Sequence, residues 1–118
     1  MEKDQRRDQK RYAISMDVKL STPDMSIEVL ATNISNDGFG LQSVKIVPVT
    51  AQANITIASP VEATFYGALT WSRHTLIQDL DAYEMGFETY AIFHQGTMAD
   101  TPETREQIIQ KILEKVGE

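Results

Sequence analysis

Residues 62–73, EATFYGALTWSR, alternate apolar and polar side chains over the length of a long β-strand. The odd-numbered positions from Ala63 to Trp71 share one face, because successive side chains of a strand point to opposite sides. Gly67 lies in the middle of this stretch, and a glycine there is typical of a bulge or sharp bend. Closing a sheet into a barrel requires such a bend, so the stretch predicts one strand of a small β-barrel.

Similar alternation elsewhere in the chain predicts further strands at residues 12–20, 26–34, 39–42, 54–58 and 82–91. Residues 43–52 are poorly patterned and contain Pro48, so we interpret them as a connection. About six short strands at this spacing favour a mainly all-β fold, a six-stranded antiparallel β-barrel.

The period of the pattern changes near residue 100. Asp100 or Thr101 can cap a helix, and Pro102 is tolerated in its first turn. An apolar stripe follows, formed by Ile108, Ile109, Ile112, Leu113 and Val116. The pattern predicts a C-terminal helix at about residues 101–116. Its stripe is able either to seal the barrel or to form a homodimer, and the sequence leaves both open.

Charge is unevenly distributed along the 118 residues, which have a net charge of −6. Residues 1–11 have a net charge of +2 and are expected to form a flexible basic arm. Residues 12–118, the predicted barrel and helix, carry −8. An acidic body argues against binding to DNA, RNA or anionic membranes, which all require broad positive surface. A cytoplasmic protein of one domain is the expectation.

Catalytic chemistry has little support in the residues. The chain has no cysteine, which excludes a thiol nucleophile and a cysteine zinc site. No phosphate loop of the GxxxxGK[ST] kind and no metal-ligand cluster are visible. We therefore expect a protein that is not an enzyme and holds no metal or cofactor.

Two short motifs suggest a ligand instead. Residues 7–11, RDQKR, have an RxxxR spacing and follow Arg6. Residues 33–38, NISNDG, have the form (D/N)xSxxG and sit between two predicted strands. Their order, their separation and the barrel pattern resemble a PilZ domain, a bacterial receptor module for cyclic di-GMP. Residues 69–72, LTWS, and 85–88, MGFE, are similar to the late strands of that family.

The resemblance implies a stand-alone, single-domain PilZ protein with a defined ligand site. Arginine suits such a site, because its planar fork grips phosphate oxygens and its face stacks on purines. An arginine directly before RxxxR is associated in the family with holding a stacked, self-intercalated dimer of the ligand, so one or two copies are expected. The implied cyclic di-GMP site consists of Arg6, Arg7, Arg11, Asn33, Ser35 and Gly38.

We therefore expect a receptor that orders its arm on binding cyclic di-GMP and signals through an unidentified protein partner. By family analogy, the controlled process would be motility, biofilm formation or polysaccharide production. The alternative is an adaptor that keeps the PilZ fold and binds proteins without nucleotide. A nucleic-acid-binding barrel is a third hypothesis, which the acidic body disfavours.

Three residues near the end of the long predicted strand are not part of either motif. We expect Trp71 in the core or at the barrel rim rather than as a stacking platform. Arg73 and His74 are expected to be solvated, although the end of a strand is also a place from which side chains line a site.

Overall fold

The computed structural model describes residues 11–58, 61–94, 96–99 and 101–116. They form seven strands and one helix. The elements are β1 (Tyr12–Ser21), β2 (Ser26–Ser35), β3 (Gly38–Ser43), β4 (Thr50–Ile57), β5 (Ala63–Ile77), β6 (Leu80–His94), β7 (Thr97–Ala99) and α1 (Pro102–Val116).

The strands make one antiparallel sheet in the order β3-β2-β1-β4-β5-β6-β7. An additional pairing joins β3 to β6, so the first six strands close into a barrel-like ring. The mainly β, antiparallel prediction is confirmed. The three-residue strand β7 was not predicted, and it pairs along β6 outside the ring.

The core lies inside this ring and is closed by α1. Phe39 is at its centre, with the Phe65 and Phe87 rings packed edge-on at centroid distances of 4.8 and 6.1 Å. Ile108, Ile109 and Ile112 of α1 are buried in the same cluster, so the helix stripe seals the core of its own chain. Thr101 caps the helix, because the backbone N–H of Thr104 donates to its hydroxyl at 3.2 Å.

The main departure from the predicted elements is the length of the β5–β6 hairpin. Strand β5 was predicted to end at residue 73 and β6 to begin at residue 82, but their pairing continues to Ile77 and Leu80. A two-residue turn joins them, with φ of 52° at Gln78 and 68° at Asp79. The sequence signal was weak because this turn lacks the asparagine and glycine that usually adopt such angles. Strand β4 also begins at Thr50 instead of residue 54.

Two register shifts bend β5 against β6. The first falls between Tyr66 and Gly67, which confirms the predicted irregularity at Gly67. The second lies between Leu69 and Trp71 and reverses the alternation of side chains. Trp71 was expected in the core or at the barrel rim. Its side chain turns outward and is 46% exposed, so it does not lie in the core.

None of the helical structure in the described part of the chain is long and apolar enough to cross a membrane.

Candidate ligand-binding cleft

An open cleft of about 800 Å³ lies on the outer face of four neighbouring strands, β2, β3, β6 and β5. This volume is within the range of about 300–1,000 Å³ that small-molecule sites occupy. Its lining includes Arg11, Thr32, Asn33, Ser35, Asp37, Gly40, Gln42, Thr70, Trp71, Arg73, Glu84, Gly86 and Glu88.

The floor of the cleft is a pair of glycines. Gly40 of β3 and Gly86 of β6 are register partners in the pairing that closes the ring. Neither presents a side chain, so the cleft is bounded here by bare backbone. Side chains from the two flanking strands can therefore lie directly against the backbone at these positions.

The two flanks of this floor are built alike. On one side a register shift in β2 brings Asn33 opposite Gly40, and the Thr32 hydroxyl donates to the Gly40 carbonyl at 3.2 Å. On the other side the shift in β5 brings Trp71 opposite Gly86. The Thr70 hydroxyl donates to the Gly86 carbonyl at 3.4 Å. A threonine thus fixes each bulge, and the next residue projects over a glycine.

Close packing explains why both floor positions are glycine. A Cβ at position 40 would come within 2.3 Å of the Asn33 amide nitrogen. One at position 86 would lie 2.1 Å from the indole Nε1 of Trp71. The glycines therefore hold the amide and the indole in place on opposite walls.

Two of the predicted site residues meet on the first wall. Nη1 of Arg11 donates to Oδ1 of Asn33 at 2.6 Å. Ala13 pairs with Asn33 across β1 and β2, which brings the end of the basic arm to the cleft. Arg6 and Arg7 lie outside the described residues.

Ser35 and Gly38 have different positions around the adjoining turn. Ser35 lines the cleft, and its hydroxyl accepts from the backbone N–H of Asp37 at 3.3 Å. Gly38 is buried, and a Cβ there would come within 1.9 Å of the Phe87 carbonyl. Positive φ does not account for this glycine, since in the described part of the chain such angles occur at Gln78, Asp79 and Gly96.

The second wall consists of residues that were not predicted to bind a ligand. Trp71 is accompanied by Arg73, whose guanidinium carbon lies 5.6 Å from the centre of the indole ring. Arg73 also pairs with Glu84 and lines the cleft, although its side chain is largely exposed as expected. His74 is exposed and hydrogen-bonds to Asp81 at 2.8 Å, away from the cleft.

Charges of both signs line the cleft. Among the described residues it contains two arginines, Arg11 and Arg73, and three carboxylates, Asp37, Glu84 and Glu88. An anionic ligand would therefore need additional positive charge. The sequence places Arg6 and Arg7 just before Arg11, in a segment with a net charge of +2.

Arg105 of α1 connects the turn between β2 and β3 to β6 through two hydrogen bonds. Its Nη1 donates to the Asn36 carbonyl at 3.1 Å, and its Nη2 donates to the Tyr90 carbonyl at 2.6 Å. The Thr89 backbone N–H also donates to the Asp37 carbonyl at 2.8 Å. The turn that follows Ser35 is therefore fixed to both α1 and β6.

Comparison of the chain with models of known protein families, with curated proteins and with solved structures finds no match. The PilZ resemblance therefore stays a prediction from the motifs.

Proposed function

We propose that the protein is a PilZ-type receptor that binds cyclic di-GMP in the cleft over Gly40 and Gly86. The observation that carries the proposal is the hydrogen bond between Arg11 and Asn33. These residues come from the two separate motifs, 22 positions apart in the chain, and they meet on one wall of the cleft. This hydrogen bond orders the Arg11 side chain beside the Asn33 amide. Part of the conformational entropy that binding a guanine nucleotide would cost is therefore lost before the ligand arrives.

Each wall offers contacts that complement a cyclic guanine dinucleotide. Arginine can donate to guanine O6 and N7 or to phosphate oxygens. The carboxylates of Asp37 and Glu88 can accept hydrogen bonds from the guanine N–H groups. Trp71 provides an exposed aromatic face, and base–aromatic stacking is worth about 1–3 kcal/mol per base. Three carboxylates outnumber Arg11 and Arg73 among the described cleft residues, so the proposal adds Arg7 as a phosphate-binding residue. Arg6 is assigned to holding a second, intercalated copy of the ligand.

In this proposal, ligand binding draws residues 1–11 onto the cleft face of β2, β3, β5 and β6 and alters the surface that a partner protein meets. The protein is then a receptor without enzymatic activity. Control of motility, biofilm formation or polysaccharide production follows only by analogy with the PilZ family.

A nucleotide-independent adaptor is the second candidate function. The excess of carboxylates among the described cleft residues favours it, because it lowers the affinity for phosphate. Calorimetric titration of the folded protein with cyclic di-GMP and with cyclic di-AMP separates the two. The receptor proposal expects micromolar or tighter affinity for the guanine ligand and at least tenfold weaker binding of the adenine ligand. Absence of binding to both supports the adaptor.

A further inference from the structure

The β5–β6 hairpin extends beyond the ring. Pairing of β4 with β5 reaches only to Leu69, and pairing of β3 with β6 reaches only to Tyr83. The hairpin beyond these points is held by pairing between its own two strands. Its tip exposes apolar side chains, with Leu76 and Leu80 exposed by 60% and 69%.

A groove of about 370 Å³ runs between this tip and the outer faces of β1 and β2. The apolar part of its lining includes Leu30, Val44, Ile77 and Leu80. Val44 is 81% exposed. A group of exposed apolar side chains around a groove is typical of a place where another chain binds.

The charged part of the groove is entirely acidic. Asp17, Glu28 and Asp81 line it, and no lysine or arginine does so among the described residues. Asp81 hydrogen-bonds to His74. Neither Asp17 nor Glu28 forms an ion pair within the part of the chain that the structure describes. The groove therefore combines an apolar floor with three carboxylates. Lys19, the register partner of Glu28, lies beside it, so the groove and this neighbour together carry a charge of −2.

The negative charge of the groove lining determines which kind of molecule can bind there. A second copy of the chain, docked through the same face, would bring carboxylates against carboxylates. Phosphate-rich nucleic acid and anionic lipid would be repelled for the same reason. A protein segment that presents apolar side chains between lysines or arginines complements both parts of the groove.

We infer that the groove between the β5–β6 tip and β2 is the docking site for a basic, apolar segment of a partner protein. Gln42 lines both this groove and the ligand cleft, so a docked segment would be a direct neighbour of the nucleotide. In identifying the partner site of a receptor, the inference rests on the proposed function. Docking itself does not require the nucleotide.

The test is an NMR titration of the ¹⁵N-labelled full chain, without nucleotide. The probe is a capped pentapeptide of alternating leucine and lysine, and the matched peptide has glutamate in place of lysine. We expect saturable amide shifts confined to residues 17, 28–30, 42–44 and 77–82, and at least tenfold weaker binding of the glutamate peptide. Equal binding of both peptides, or shifts spread away from the groove, would overturn the inference.

Two leucines of the hairpin provide a matched pair of variants. Leu80→Ser removes a groove side chain and should weaken peptide binding at least fivefold. Leu76→Ser removes an equally exposed leucine that does not line the groove, and it should leave binding unchanged. Equal losses in both would mean that the peptide adheres to the hairpin without using the groove. Neither substitution should alter cyclic di-GMP affinity, so failure of this inference is distinguishable from failure of the receptor proposal.

Charge is tested by the double variant Asp17→Asn, Glu28→Gln. It should remove most of the preference for the lysine peptide over the glutamate peptide. A preference that persists unchanged would contradict the assigned role of these carboxylates. Amide shifts of the peptide-free protein that depend on its own concentration would instead assign the groove to a second copy.

Discussion

The indole of Trp71 lies so close to the backbone of Gly86 that a single methyl group at position 86 would displace it. This contact determines how one wall of the cleft presents an aromatic face. It also gives a direct optical measurement, because Trp71 is the only tryptophan in the chain.

We expect Gly86→Ala to push the indole off the sheet and into solvent. Tryptophan emission should shift to longer wavelength while the far-ultraviolet circular dichroism stays that of the folded protein. Cyclic di-GMP affinity should fall about tenfold, consistent with the loss of about 1–3 kcal/mol of base stacking. Gly40→Ala is the matched control for the emission measurement, since its Cβ meets the Asn33 amide and not the indole. Its tryptophan emission should stay that of the parent protein. Unchanged emission in Gly86→Ala would show that the indole does not depend on this glycine.

Arg105 is expected to stabilise the turn that carries Asn36. Its guanidinium bonds two backbone carbonyls on different elements, and charged hydrogen bonds contribute about 1.5–3 kcal/mol each to stability. Because the bond to the Tyr90 carbonyl is exposed and contributes little, we predict that Arg105→Ala lowers the free energy of unfolding by about 1.5–3 kcal/mol in total, measured by urea denaturation. Lys111→Ala, on the exposed side of the same helix, should change it by less than about 0.5 kcal/mol. Similar effects of the two variants would contradict the bracing role.

The turn at the tip of the β5–β6 hairpin carries strain that a glycine should relieve. Asp79 has a φ of 68°, a left-handed conformation that costs a residue with a Cβ about 1–2 kcal/mol. Asp79→Gly should therefore raise the free energy of unfolding by about 1 kcal/mol. Urea denaturation would show this as a higher midpoint concentration. Asp24→Gly removes the same charge at a turn without positive φ, and it should not stabilise the protein. Equal stabilisation by both would assign the effect to charge.

Much of the fold could be predicted from local patterning, because alternation and helical period are recorded in neighbouring residues. The first three strands and α1 were found within two residues of their observed bounds. The extended hairpin was missed because Gln78 is not a typical residue for positive φ and no glycine follows Asp79 in the turn. The outward face of Trp71 was missed because a register shift before it reverses the alternation.

The candidate site was predictable only where a motif records it. Arg11, Asn33 and Ser35 were named from their motifs and line the cleft. Gly40 and Gly86 were not assigned to it, because their pairing joins strands distant in sequence. Trp71 and Arg73 reach the cleft through the pairing of β5 with β6, after a register shift that local alternation does not reveal. The spacing of residues within one segment does not show which strands pair or in what register.

Arg6 sets the number of ligand copies in the receptor proposal. Arg6→Leu is expected to leave cyclic di-GMP binding intact and to halve the nucleotide-to-protein ratio, measured by calorimetry at saturating protein concentrations. Lys3→Leu removes one positive charge from the same segment and should leave the ratio unchanged. A ratio that is the same in the parent protein and in Arg6→Leu would remove the self-intercalated dimer from the proposal.

The central claim is that Arg11 and Asn33 together form the first wall of a cyclic di-GMP site. Calorimetric titration of the parent protein and of Arg11→Ala tests it most directly, with Lys19→Ala as a control for loss of an exposed cation from β1. Loss of two charge-assisted hydrogen bonds, each worth about 1.5–3 kcal/mol, should weaken binding at least about a hundredfold in Arg11→Ala. Lys19→Ala should bind as the parent does. Folded parent protein that gives no binding heat, or Arg11→Ala that binds normally, would contradict the account.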